Sequence, residues 1–539
     1  MRKHKRQLRW LAFLAWITYV IYVQIYSFYI MEQDYDACNG GGLVAWVSAV
    51  ILLYIMLFRL ILPHIHHVRR LKRSICIRPF ECCRVTCQYT LVRLATCAIV
   101  FVLIVMLTHQ GRFVPSTHQC IALSGYFAII LIAYFLSVEP EKIDWRLVIK
   151  NLLIQIIIVY SMMIWTFGRV LLQCTAEKIT VFFSFSKEAA AVVFSDQLPH
   201  MLAIELLCTL TLTGCYMHIL YYLGILQSFF HKLGFILEMI TGATAVEAIC
   251  AALCTLCGGV EAAVVLEPYI VLLTMSELHT FIVSGFAFMT GVTLSLYMSL
   301  GIDQVNLMTA NFATCSGVLA LSKIVYPETD RSVTTYKDLK FLDRDEYNLV
   351  DAAVRGATAI IKVLVNVISG LIAMVSVVNM SNTFVGWVLE NIGIPGMDII
   401  GILSFISRPL IFLMGVEWQY SDKVARLFII KTVKNENFAY RAFSKLQQTD
   451  PIPMREQAVT TALLYGYSNI AHIGVITALM TVLAPERRQD ISITVMRAMF
   501  TSVLVNMLTA SVIGALVTPH DLKLAQNVTN LNVSAHWTR

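Results

Sequence analysis

Charge is scarce in this chain. Acidic and basic residues make up 14% of it, against about 25% in soluble domains, so the several water-soluble domains that 539 residues could fill are excluded. Catalytic signatures are missing too. There is no Gly-rich phosphate loop, no nucleophile elbow and no paired acids in a soluble domain, so the chain does not read as an enzyme. Fourteen cysteines show no zinc-ligand spacing, and no metal or cofactor is expected beyond a coupling ion. The net charge of +7 is no footprint of a nucleic-acid polymer. Much of it lies in MRKHKRQLR and HIHHVRRLKRSICIRPFECCR, where membrane proteins carry cytoplasmic anchors.

What is present is apolar surface from end to end: 58% hydrophobic residues and a mean hydropathy of +0.71. Trp10–Ile30 and Leu43–Leu62 each approach the ~20 apolar residues that cross a bilayer. The acidic MEQDYDACNGGG between them fits the outside, and the basic loop His64–Arg84 the inside. Tyr89–Leu107 crosses outward and Ile121–Val138 returns. The first span reads as a retained signal anchor, since its apolar core is too long for a cleaved signal. Leu147–Trp165, Met201–Leu226, Leu278–Met298, Leu307–Val325, Asn366–Val388, Ala458–Leu483 and Ile491–Val517 supply further spans. Gly242–Val265, interrupted by Cys-Gly-Gly, and Ile399–Trp418, with Pro409 inside it, read as re-entrant hairpins, because unpaired backbone at depth has to be shielded from lipid. In the basic loop, Cys76, Cys82, Cys83 and Cys87 are free thiols or palmitoylation sites, and the histidines of His64–His67 read as membrane surface rather than metal ligands. A Cys38–Cys120 disulfide is left open.

Three polar residues stand out against these apolar segments: Glu417 in LIFLMGVEW, Glu261 in LCTLCGGVEAAVVL and Asn469 in LLYGYSNIAHIGVITAL. An acid at membrane depth costs roughly 2.5–3.5 kcal/mol on insertion scales. Polar groups inside interrupted segments are how transporters build a midplane site. The plainer alternative is packing glue or a salt-bridged acid. The sequons at Asn527 and Asn532 favour an extracellular C-terminus. With a cytoplasmic N-terminus, that requires an odd number of crossings, about eleven by span length.

Specific blocks carry a resemblance. TMSELHTFIVSGF, NLMTANFATCSGVLALSKIVYPETD, MGVEWQYSDKVARLFIIKTVKNENFAYRAFSKL, GYSNIAHIGVITALMTVLAPERRQDISITVMRA and HILYYLGILQ resemble the core of the concentrative nucleoside transporters, from about Lys142 to Val517. The resemblance implies an all-α polytopic membrane protein with about eleven transmembrane helices and two re-entrant hairpins. It also implies scaffold and elevator-type transport domains, a homotrimer in the plasma membrane, and nucleosides as partners. The chain then divides into an N-terminal extension (1–115), scaffold helices (116–240), the first hairpin and following helices (241–326), a charged connector (327–350), the second hairpin and C-terminal core (351–518) and an extracellular tail (519–539).

By the same resemblance, Glu417 and Asn469 take the ribose hydroxyls, and Tyr467 replaces the usual Phe platform. His472, a group that titrates near neutrality, stands where a Ser completes the sugar contacts. Gly259-Val260-Glu261 replaces Gln-Thr-Glu on the base side, so only the acid remains of the groups that read the base edge. The sodium-coupled members have an Asn before the hairpin tip and a Thr or Ser after Gly-Phe. The ion-site positions here are Cys254, Cys257, Phe288 and Met289, and a hard cation wants oxygen. Uptake is therefore expected to depend weakly on sodium and more on a proton or on the nucleoside gradient. Arg408, before Pro409, either pairs with a carboxylate, fills the space of the lost cation or snorkels to the surface. The reading is a nucleoside symporter. The alternatives are a proton-coupled or facilitative carrier, or a transport-deficient nucleoside sensor.

Overall fold

The computed structural model describes residues 18–19, 21–23, 48, 116–164, 166–194, 202–335, 346–394 and 396–518. The chain divides into one compact unit of residues 1–93 and 173–175 and a second of residues 94–172 and 176–539. The spans expected at Trp10–Ile30, Leu43–Leu62 and Tyr89–Leu107, the cysteines of the basic loop, Cys38 and both sequons lie outside the described residues. Cys120 is a free, exposed thiol.

Every extended regular element among the described residues is a helix. α1 (Thr117–Phe135), α2 (Trp145–Met163), α3 (Thr166–Phe194), α4 (Leu202–Tyr222) and α5 (Ile225–Thr241) come first. α6 (Ala245–Leu256) and α7 (Gly259–Val265) form a hairpin, followed by the single turn α8 (Glu267–Ile270), α9 (Met275–Ala287), α10 (Gly291–Ser299) and α11 (Gln304–Val325). α12 (Leu349–Asn391) leads to α13 (Ile399–Leu413) and α14 (Trp418–Ile429), and a π-helical turn, Ile430–Lys434, runs on into α15 (Glu436–Thr449). α16 (Met454–Leu464), α17 (Ile470–Leu483) and α18 (Arg488–Leu516) close the core.

Among the described residues, five helices are long and apolar enough to cross a membrane, or six if the pair bent by 101° at Thr241–Ala245 counts as one span. In α11 and in the span ending at Leu516, 89% of the apolar window is buried inside the protein, against 17% in α12. The core therefore sits around α9, α11 and α18, and α12 turns an apolar flank outward. The sequence pattern did not assign α3 or α5. In α3, Arg169, Glu177, Lys178, Lys187 and Glu188 dilute the apolar run.

Two expected spans are interrupted. Leu278–Met298 is not one helix: Phe288 turns extended (φ −109°, ψ 155°), and Thr290 caps the new start at α10. The helix after Met454 breaks likewise, because Tyr465 is extended and Gly466 takes φ +79°. A Cβ on Gly466 would lie 2.4 Å from the Ala287 carbonyl oxygen, so the two breaks press on each other and only glycine fits. In the second hairpin the turn is not at Pro409, which stays inside α13; the chain reverses over Met414–Glu417, and Trp418 begins the returning arm. Arg408 is a clasp between these arms. Its Nε donates to Ser421 Oγ at 3.0 Å, its Nη2 to the Trp418 carbonyl at 3.2 Å, and its guanidinium lies 4.3 Å over the Trp418 ring. Its contacts are a hydroxyl, a carbonyl and a ring rather than a carboxylate.

One buried ion pair ties the first hairpin to the core. Lys323 Nζ of α11 stands 2.6 Å from Glu247 of α6 and 3.1 Å from Glu328, and donates to Ser276 Oγ at 2.8 Å. Removing one member of such a pair strands the other charge. Lys323→Met should lower stability by about 3–5 kcal/mol, and Lys323→Met with Glu247→Gln should recover part of it. Thermal unfolding of the detergent-purified variants measures both. Equal melting temperatures for wild type and Lys323→Met would refute the assignment.

Candidate functional site

The site grows out of the interruptions. Each break creates a new helix start, and a helix start leaves amide donors that need partners and a partial positive charge that favours acids. Gly258, at φ +112°, reverses the chain between α6 and α7. A Cβ there would come within 2.8 Å of Thr290 Cα and 2.9 Å of Glu261 Oε2, so the Glu261 carboxylate lies beside the start of α10. Glu261 is only 3% exposed, and neither of its oxygens has a hydrogen-bond partner in the protein. Gly259 is a packing residue. A Cβ on it would meet Gly285 Cα at 2.8 Å and the Gly285 carbonyl oxygen at 2.9 Å, so α7 can lie flat on α9 only with glycine there. Val260 is buried. The structure gives Gly259 and Val260 packing contacts rather than polar ones.

The Tyr467 hydroxyl binds the start of α10. It accepts the Thr290 amide at 3.1 Å and exchanges hydrogen bonds with Thr290 Oγ1 at 3.0 Å and Thr293 Oγ1 at 2.8 Å. His472 stacks on the Tyr467 ring with centroids 4.5 Å apart and meets Phe286 edge-on at 6.0 Å. Its Nε2 is buried and has no partner. Asn469 caps α17, its Oδ1 accepting the His472 amide at 2.8 Å while its Nδ2 donates to Glu436 Oε2 at 2.7 Å.

Glu436 is the acid that sequence reasoning missed. It opens α15 after the π-helical turn, is 4% exposed, and also accepts Asn437 Nδ2 at 3.2 Å. Asn437 in turn accepts from the Tyr297 hydroxyl at 2.9 Å, and Tyr297 stacks on Tyr440 at 4.0 Å. Lys431, fully buried with an unpartnered ammonium, lies within electrostatic reach of Glu436. Glu417, the acid expected from sequence, is not in this constellation. Its side chain is 37% exposed, 4.0 Å from His118, and accepts Gln419 Nε2 at 2.7 Å. The hydrophobic run before Glu417 suggested membrane depth, but the turn at Gly415 carries the residue out to a half-exposed position. The signal that pointed to Glu436 was its place at the start of a helix after Asn435, masked by Lys431 and Lys434.

The ion positions are oxygen-poor. Cys254 Sγ lies 4.0 Å from Cys250 Sγ, Phe288 and Met289 are buried, and Cys257 ends α6. The first hairpin, the α9–α10 break, the start of α15 and the α16–α17 break thus bring together Glu261, Glu436, Asn469, Tyr467 and His472. These supply two carboxylates, an amide and a stacked aromatic pair in a water-poor setting, fit for a neutral ligand with several hydroxyl or N–H donors.

Comparison with known proteins gives a consistent picture. Residues 124–197 match the family model "Na+ dependent nucleoside transporter N-terminus", and residues 306–514 match the corresponding C-terminus model. Sodium/nucleoside cotransporter 2 of Rattus norvegicus is 31% identical over 464 residues, covering 83% of this chain and 70% of the relative. Sodium/nucleoside cotransporter 2 of Mus musculus is 32% identical over 416 residues, covering 74% and 63%. The chain thus spans somewhat under two thirds of the length of that mouse relative. Among solved structures, CNTnw in an inward-facing substrate-bound state is 26% identical with a TM-score of 0.63, covering 74% of this chain and 97% of that one. A CNTnw variant in an outward-facing state gives 0.64 at 26% identity, covering 75% and 99%.

The geometry generates a stability test. Tyr467→Phe keeps the ring stacked on His472 but leaves the buried Thr290 amide without its acceptor, which should cost about 1–3 kcal/mol. Thermal unfolding of that variant should show the loss, and an unshifted transition would contradict the hydrogen bond.

Proposed function

The chain belongs to the concentrative nucleoside transporter family, and from that premise we propose that it carries nucleosides across the membrane that holds it. The observation that carries the reading is the buried Glu436–Asn469 pair beside Glu261 and the Tyr467–His472 stack. A carboxylate held away from water selects ligands that donate to it, because an analogue lacking the hydroxyl leaves the acceptor unpaired. Glu436 and Asn469 take the ribose hydroxyls. Glu261, with two free acceptor oxygens, takes N–H donors of the base, and the Tyr467–His472 stack flanks the ring. The amide and hydroxyl that the family places before the acid are Gly259 and Val260 here, so the base edge is read with fewer groups and base selectivity is relaxed.

Transport proceeds by displacement of the hairpin-bearing core against a scaffold that includes α12. Ile361, Val365, Ile372, Met380, Phe384 and Trp387 on that helix are exposed, and they face lipid and the neighbouring subunits of a homotrimer. The protein resides in the plasma membrane with its N-terminus cytoplasmic and its C-terminus outside. Sodium is the coupling ion of the family, and a proton is the alternative that a histidine at position 472 leaves open.

Two experiments test these assignments. Glu436→Gln should weaken nucleoside binding by about 1.5–3 kcal/mol, the worth of hydrogen bonds to a charged acceptor, while Glu417→Gln leaves it unchanged. Labelled uridine and adenosine binding to the purified variants reads both, and the reverse ranking would restore Glu417. For topology, a glycosidase-sensitive mass shift should vanish in the Asn527→Gln, Asn532→Gln double variant. A C-terminal tag protected from external protease until cells are permeabilised would place the tail inside.

A further inference from the structure

The coupling ion is where this chain and its family part. A sodium ion between the first hairpin and the following helix would draw on Cys254, Cys257, Phe288 and Met289. Sulfur is a poor ligand for a hard cation and a phenyl ring offers none. Two main-chain oxygens of the first hairpin serve the fold instead: the Cys254 carbonyl accepts the Gly258 amide at 3.1 Å, and the Thr255 carbonyl accepts Asn311 Nδ2 at 2.8 Å. The side chains at these positions do not fit sodium.

The same place holds a tyrosine instead. Tyr465, in the α16–α17 break, is fully buried. Its hydroxyl donates to Asn311 Oδ1 at 2.7 Å, faces the Met289 amide at 3.4 Å and lies within electrostatic reach of Cys254. Its carbonyl accepts Asn506 Nδ2 at 2.6 Å. Through Asn311 the hydroxyl is joined to the first hairpin at Thr255, and through Met289 to the α9–α10 break. An ion in a coupled carrier makes this kind of tie only while it is bound, and that conditional tie is what links ion binding to substrate binding. Here a side chain of the protein makes it.

We infer that this chain moves its nucleoside without sodium, with the Tyr465–Asn311 hydrogen bond replacing the ion as the tie between the α16–α17 break and the first hairpin. The inference rests on the nucleoside reading above. It makes the protein a carrier whose affinity has no sodium term, so sodium cannot drive accumulation.

The test uses the full chain, purified and reconstituted into liposomes. Binding and counterflow of labelled uridine and adenosine are measured at fixed pH in sodium and in choline. The expected result is the same affinity and rate in both salts. A carrier coupled to sodium would lose about 5–150-fold in affinity on its removal, the usual span of a coupling free energy, and a loss of that size overturns the inference. No binding or counterflow in either salt overturns the nucleoside reading, and this inference falls with it. A second readout needs no substrate. A ligand that binds only the folded state raises its melting temperature, so sodium should not stabilise the wild type relative to choline. Tyr465→Phe should melt lower than wild type in both salts by the same amount. Stabilisation of the wild type by sodium alone would show that the ion has a site and would sink the proposal.

Discussion

A helix broken at membrane depth has to find partners for the backbone groups it frees, because water is not there to take them. The core of this protein answers that constraint twice at one place. The break after Ala287 and the break after Leu464 lie against each other, with Gly466 on the Ala287 carbonyl. Side chains from one break serve the backbone of the other: Tyr467 accepts the Thr290 amide and Tyr465 faces the Met289 amide. Asn506, from α18, takes the Tyr465 carbonyl and Ser468 Oγ. Without these bonds neither break could stay out of water. With them, the interior holds a set of fixed helix starts around which polar chemistry can be built.

Those starts explain where the acids stand. Glu261 lies in the first turn of α7 and Glu436 in the first turn of α15, where the helix dipole favours negative charge. Asn469 caps α17 while holding Glu436, so one amide serves both backbone and carboxylate. Acids left with free acceptor atoms, as Glu261 is, suit a ligand that brings donors. The charges that serve the architecture are saturated instead. Lys323 is held by Glu247, Glu328 and Ser276. Arg455 donates to the Gly415 and Gly514 carbonyls at 2.6 Å each, fixing the turn of the second hairpin against α18. The Glu261 oxygens and His472 Nε2 are left as free polar atoms, whereas Glu436 is already held by Asn469 and Asn437.

The residues around the first hairpin follow the same packing logic. Gly259 permits the flat contact of α7 with α9, so the absence of a polar side chain there comes with closer helix packing. The Tyr465 hydroxyl and Asn311 join the α16–α17 break to α11. The polar extension from Glu436 through Asn437 to Tyr297 reaches a stacked tyrosine pair, so the second acid is held from two sides.

Sequence by itself determined the class of molecule, because hydropathy is a local and additive property that needs no partner to be read. It also located the first hairpin through Cys-Gly-Gly and singled out Glu261 and Asn469, whose polar groups stand out against apolar neighbours on both sides. It put the second acid at Glu417, since the apolar run before that residue is longer than the one before Glu436, where Lys431 and Lys434 intervene. The tertiary structure sets the two acids apart. Gly415 turns Glu417 toward His118 and a half-exposed position, while the π-helical turn delivers Glu436 to Asn469, 33 residues further on. The break at Phe288 was hidden for the same reason. An uninterrupted apolar stretch looks like one helix until a neighbouring chain supplies the hydrogen bonds that let it stop, and that neighbour is fixed by the packing of segments far apart in sequence.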